Sequence, residues 1–176
     1  MAEAIAAILP FAVGIMVSPI PIVAVILMLF TRRATSNGPA FLVGWVVGLT
    51  LLAVLGYAAA SLLGWGDGSD AAATEVQWWR VVLGLVLLVL AFRTWRKAAE
   101  PDHVEELPRW MADIDDLTPA KAFALALALS SVNPKNLLLG LGAMTSLATL
   151  GAATDEVVVG IAAFVLIASL TVAAAV

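Results

Sequence analysis

The chain contains no cysteine, one histidine and one tyrosine, and only 12% of its 176 residues are charged. The first absence excludes disulfides, a thiolate nucleophile and Cys-ligated zinc or iron–sulfur centres. The lone His103 stands in the polar run Glu100-Pro101-Asp102-His103 and reads as a solvated loop residue, not a metal ligand. The shortage of charge argues against a soluble domain, in which roughly a quarter of residues are charged. A net charge of −4 gives no support for nucleic-acid binding. No ATP-binding loop is present, and no cofactor is expected.

What the chain has instead is long apolar runs. It is 62% hydrophobic, with a mean hydropathy of +1.04. A membrane helix needs about 20 mainly apolar residues. Five stretches meet that need: Ala4 to Phe30, Pro39 to Leu63, Trp78 to Trp95, Pro119 to Leu150 and Val157 to Val176. The first lacks a basic leader and is far longer than the core of a signal peptide. The expected class is an all-α polytopic membrane protein with membrane lipids as its surroundings.

Basic residues orient the spans. Of the nine, Arg32, Arg33, Arg93, Arg96, Lys97, Arg109 and Lys121 fall on one side of an alternating path, and only Arg80 on the other. That side is read as cytoplasmic, in the plasma (inner) membrane, which puts the N-terminus and the Gly- and Asp-rich loop from Trp65 to Gln77 outside. Residues 98–118 form a cytoplasmic linker rich in Asp and Glu, which ends in Thr118-Pro119, a helix-start pair with Thr as N-cap and Pro in the first turn. Trp78-Trp79-Arg80 reads as an interfacial anchor, and Gly44-x3-Gly48, Gly140 and Gly142 as sites of close helix approach.

Two motifs interrupt the apolar runs near their centres. Ser18-Pro19-Ile20-Pro21 lies in span 1, and Ser130-Ser131-Val132-Asn133-Pro134-Lys135-Asn136 lies in span 4. Proline removes a backbone donor and clashes with the carbonyl one turn earlier, so Pro19, Pro21 and Pro134 should break their helices. In hydrocarbon the freed carbonyls need partners in the protein or in a wet cavity. A polar pocket at membrane depth is therefore expected at each break.

Lys135 is the sharpest signal. A charge at the bilayer centre costs several kcal/mol unless paired or hydrated, and no acidic residue lies inside any of the five stretches. The functional reading is an anion site, with Lys135 binding a phosphate, carboxylate or sulfate of a substrate and Asn133, Asn136, Ser131 and Ser18 hydrogen-bonding nearby. The competing reading is a lysine that caps carbonyls of the broken span 1. Deprotonation of a buried lysine is a third. A Ser–Lys pair between Lys135 and Ser18 or Ser131 would make the protein a membrane enzyme, although no His or Asp stands in a span to complete a triad.

The breaks fall in the first and fourth spans. Three spans separate the two units, so the second is inverted relative to the first, the layout of a 3+3 inverted-repeat transporter with a midplane site. The expected division is a first three-helix repeat over 1–97, the linker 98–118, and a second, two-helix repeat over 119–176. The missing sixth helix leads to the expectation that the sequence lacks its C-terminal end; the alternative is a five-span protein, which would spoil the symmetry.

The motifs Ser18-Pro19-Ile20-Pro21-Ile22, Pro108-Arg109-Trp110-Met111, Leu117-Thr118-Pro119 and Val132-Asn133-Pro134-Lys135-Asn136-Leu137 resemble those of the actinobacterial GAP family, also called the Sap or sulfolipid-addressing protein family. The resemblance covers nearly the whole chain. It implies the fold of the LysE-type exporter superfamily, with six spans in two repeats, and movement of glycolipids or peptidoglycolipids toward the cell surface. The expected function is transport or flipping of an anionic lipid-linked or amphipathic substrate. Three alternatives stand beside it: an enzyme acting on a lipid-carrier substrate, a non-catalytic subunit of an envelope assembly, and an exporter of small solutes such as amino acids or cations. A homo-oligomer or an envelope-complex partner is compatible with each.

Overall fold

The computed structural model describes residues 1–62 and 117–176, together with Gly64, Leu85, Val89, Phe92 and Arg96. The regular structure of these residues is helical throughout. The chain divides into two compact units, Met1–Asp67 with Trp110–Val176, and Gly68–Arg109. Six helices build the described part of the first unit: α1 (Ala2–Met16), α2 (Pro19–Leu29), α3 (Ala34–Leu62), α4 (Pro119–Ser131), α5 (Pro134–Ala148) and α6 (Thr154–Ala175). In the second unit Leu85, Val89, Phe92 and Arg96 are helical and exposed. The rest of the expected third span, the Trp78-Trp79-Arg80 anchor and the linker up to residue 116, with His103, lie outside the described residues.

Among the described residues, two helices are clear membrane spans, and the number rises to the expected four when each bent pair is counted as one span. Helices α3 and α6 are each long and apolar enough to cross a bilayer, and the pairs α1–α2 and α4–α5 have the length and apolarity of a span when each is taken together, with bends of 50° and 57°. This is a membrane protein. Each bend sits where proline removes the donor that would continue the helix, at Val17-Ser18 and at Val132-Asn133. Thr118 caps α4 as its sequence suggests, accepting from the Lys121 amide with Pro119 in the first turn.

One boundary differs from expectation. Helix α3 starts at Ala34, not at Pro39, and holds Pro39 in its interior. Its early turn is fixed locally, with the Asn37 amide donating to the Arg33 carbonyl at 2.9 Å. It is also fixed by tertiary contact, because the Asn37 side chain donates to the Leu117 carbonyl at 2.9 Å. These bonds stabilise the turn that Pro39 weakens.

Two seams organise the unit. In the first, α3 runs parallel to α4 with glycines at the interface. A Cβ on Gly44 would collide with the Phe123 carbonyl oxygen, and one on Gly48 with the Ser130 hydroxyl while lying 3.0 Å from the Leu127 carbonyl. In the second, α6 runs parallel to α1. The N-terminal amine pairs with Glu156 at one end, Gly160 sits by Ala4, and Thr171 donates to the Met16 carbonyl at the other end. Helix α5 lies between them. A Cβ on Gly140 would press on Leu52 of α3 and one on Gly142 on Phe11 of α1, each at 2.7 Å. Packing is the role these glycines play. The core they enclose includes Ile8, Phe41, Trp45, Leu49, Met144 and Phe164, with Phe41 stacked on Trp45 at 6.5 Å.

Candidate functional site at the two helix breaks

The two breaks have the same build. Ser18 is the N-cap of α2, with φ −80° and ψ 120°, and Asn133 is the N-cap of α5, with φ −62° and ψ 124°. Each is followed by a proline in the first helical turn, Pro19 and Pro134. The half-helices α2 and α5 thus both begin at a break and point their positive dipole ends at it. They differ in what the cap does. Asn133 Oδ1 accepts from the Lys135 amide at 2.9 Å and so caps its own helix. Ser18 makes no such cap, and its hydroxyl is left for another partner.

That partner is Lys135. Its Nζ donates to Ser18 Oγ at 2.9 Å and links the breaks across 117 residues of sequence. Ser18 is buried, whereas Lys135 is exposed. Among the described residues, no carboxylate lies within ion-pair reach of Lys135, and the ion pair present there is the distant Met1–Glu156. Prolines 19 and 21 also strip the first turn of α2 of two amide donors.

The remaining expected site residues shape the break in span 4. Ser131 Oγ donates to the Leu127 carbonyl at 2.6 Å, and Ser130 Oγ to the same carbonyl at 3.1 Å. Asn136 is buried, and its Nδ2 donates to the Leu129 carbonyl at 3.0 Å, one turn before Asn133. Its Oδ1 is buried without a donor. At the break in span 1 the Met16 carbonyl is taken by Thr171, at 2.7 Å, and not by Lys135. The structure therefore brings Lys135 to a hydroxyl and leaves the freed carbonyl to another helix.

Sequence reasoning missed Thr171 and Asn37. Threonine in a membrane helix ordinarily bonds back to its own preceding turn, as Thr50 does to the Val46 carbonyl at 2.8 Å. A threonine near the end of an apolar run therefore carries no mark of a tertiary bond. Around the breaks the exposed side chains other than Lys135 are apolar: Val17, Ile20 and Val132. Among the described residues no group of His, Asp and Glu is placed to hold a metal ion.

Residues 8–176 match the family model described as Sap, sulfolipid-1-addressing protein. No curated protein and no solved structure matches the chain.

Proposed function

We propose that this chain, which belongs to the Sap, sulfolipid-1-addressing protein family, moves an anionic lipid-linked or amphipathic substrate across the plasma membrane, with Lys135 holding the anionic head. The family is tied to lipid handling by its description, and the chain is a membrane protein. The observation that carries the reading is the Lys135–Ser18 hydrogen bond. It places a cation that has no carboxylate partner among the described residues where two interrupted helices meet and where both second halves present positive ends. Such a site favours an anion. The exposed Val17, Ile20 and Val132 suit the apolar part of the same molecule.

The accompanying fold reading is a LysE-like inverted repeat with the N-terminus outside and the 98–118 linker cytoplasmic. Several features support it. Pro134 follows Pro19 by 115 residues (134 minus 19), and the same offset relates Val17 to Val132, the N-cap Ser18 to Asn133, and Pro21 to Asn136. Pro21, Val25 and Met28 are buried on α2, and at this offset Asn136, Gly140 and Ala143 are buried on α5. The two parallel seams, α3 on α4 and α6 on α1, exchange under the same correspondence. The sequence supplies neither an ATP-binding loop nor a carboxylate inside the five apolar stretches, so a passive facilitator or scramblase is the simplest energetic form of the activity.

The test is substrate movement in reconstituted vesicles. Lys135→Ala should abolish it while the variant keeps its helix content and elution volume. Normal movement by a folded Lys135→Ala protein sinks the proposal.

A second reading is favoured by the same 2.9 Å contact: a Ser–Lys enzyme in which Ser18 is the nucleophile and Lys135 its base. Turnover of a lipid-carrier ester that disappears in Ser18→Ala, together with a covalent adduct on Ser18, would establish it.

A further inference from the structure

The exposed face of α2 runs between two cationic stations. At its start, Lys135 reaches Ser18. Beyond its end, Arg32 and Arg33 are both exposed. Between them Ile20, Val23 and Ile26 are exposed at 47%, 40% and 43%, while Pro21, Ala24, Val25 and Met28 are buried on the opposite face. The i, i+3, i+6 spacing keeps these three side chains within one side of the helix. The 11 residues of α2 span roughly 16 Å at 1.5 Å per residue, close to half of a hydrocarbon core of about 30 Å. The length of the face is therefore comparable to the thickness of one leaflet. It is apolar along its length and positive at both ends.

That layout matches one class of molecule. A small anion gains nothing from an aliphatic strip, and a neutral lipid gains nothing from the cations. A lipid with an anionic headgroup uses both, in the order that the bilayer imposes. At the membrane surface its headgroup meets Arg32 and Arg33, since each basic residue near a surface attracts anionic lipid. Its acyl chain then lies along α2, in register with the hydrocarbon.

We infer that the outward face of α2 is the lateral entry path of the substrate: the acyl chain of an anionic lipid follows Ile20, Val23 and Ile26 while its headgroup passes from Arg32 and Arg33 to Lys135. The inference rests on the proposed anion site at Lys135 and adds the route, the leaflet and the requirement for a chain. The lipid enters from the leaflet at the Arg32–Arg33 end and keeps its chain in the bilayer throughout. Only the headgroup occupies the protein.

The test follows the reactivity of the Lys135 amine. The full-length chain is reconstituted in phosphatidylcholine vesicles with increasing phosphatidylglycerol, or with inorganic phosphate, and labelling of Lys135 by a membrane-permeant amine reagent is read by peptide mass spectrometry. Phosphatidylglycerol should slow labelling at far lower concentrations than inorganic phosphate does. Arg32→Gln with Arg33→Gln, a surface change that leaves the helices intact, should raise the phosphatidylglycerol needed by about tenfold. Ile20→Ser with Val23→Ser should raise it too, and should leave the weak effect of inorganic phosphate unchanged. If phosphate protects as well as the lipid, or if both variants respond to the lipid as the unaltered protein does, the entry path is wrong and the anion site stands. If neither anion protects Lys135, the anion site falls and the path falls with it.

Discussion

Lys135 Nζ donates to Ser18 Oγ at 2.9 Å, so the cap of one interrupted helix is occupied by a side chain from the first turn of the other. The serine is free to take this role because it does not cap its own helix, and the lysine is free because no carboxylate competes for it among the described residues. The bond makes the two breaks a single feature of the molecule.

The charge and the geometry of Lys135 are separable by substitution. Lys135→Arg keeps the cation but replaces a compact ammonium by a planar fork. Binding of the anionic headgroup should survive in Lys135→Arg at reduced affinity, and Lys135→Met should lose it. Competition by phosphatidylglycerol against a fluorescent anionic lipid measures both.

Removing the hydroxyl distinguishes the two functional readings. A single hydrogen bond contributes about 0.5–1.5 kcal/mol net, so Ser18→Ala should slow transport by no more than about tenfold. An enzyme with Ser18 as nucleophile would lose turnover altogether. Vesicle transport and ester cleavage, assayed on the same preparation, give the answer.

The seam between α3 and α4 has no room for a methyl group. At Gly44 the obstacle is the backbone of Phe123, which cannot rotate away, and a Cβ there would also lie 3.0 Å from Phe123 Cα. Gly44→Ala should therefore destabilise the protein by about 1–3 kcal/mol, the usual cost of overpacking. Gly151→Ala, where a Cβ meets nothing within 4 Å but φ is +57°, should act only through its turn. Thermal unfolding in detergent compares the two, and Gly44→Ala should also weaken the association of the helices.

Thr171→Val is nearly isosteric and leaves the Met16 carbonyl without its 2.7 Å donor. An unsatisfied buried polar group costs about 1–3 kcal/mol, so this variant should unfold at a lower temperature than Thr50→Val, whose hydroxyl only bonds back to its own helix. Hydrogen exchange at α2 should rise in Thr171→Val and stay unchanged in Thr50→Val.

Much of this is legible in the amino-acid sequence alone. Pro19, Pro21 and Pro134 announce the breaks because they lie together with polar residues near the centre of an apolar run and lack the amide donors that would continue the helix. Lys135 stands out because hydrocarbon penalises an isolated charge wherever the rest of the fold lies. Thr118-Pro119 predicts the start of α4 because capping is local. Other features depend on partners far along the chain. Asn37 meets Leu117 across 80 residues, and Thr171 meets Met16 across 155. Nothing near Asn37 or Thr171 in sequence distinguishes them from any polar residue in an apolar run. The early start of α3 has the same origin, since a tertiary bond and a local one together outweigh Pro39.

The glycine contacts between α3 and α4 also limit what the molecule can do mechanically. Where backbone rests on backbone there are no side-chain rotamers to yield, and a shift along the axis must jump a whole helical turn or not occur. Such close contacts resist sliding of α3 along α4. Any alternation of the site between the two sides of the membrane then falls to the joints at Val17-Ser18 and Val132-Asn133, where the helical bonding is already interrupted and a change of angle breaks little.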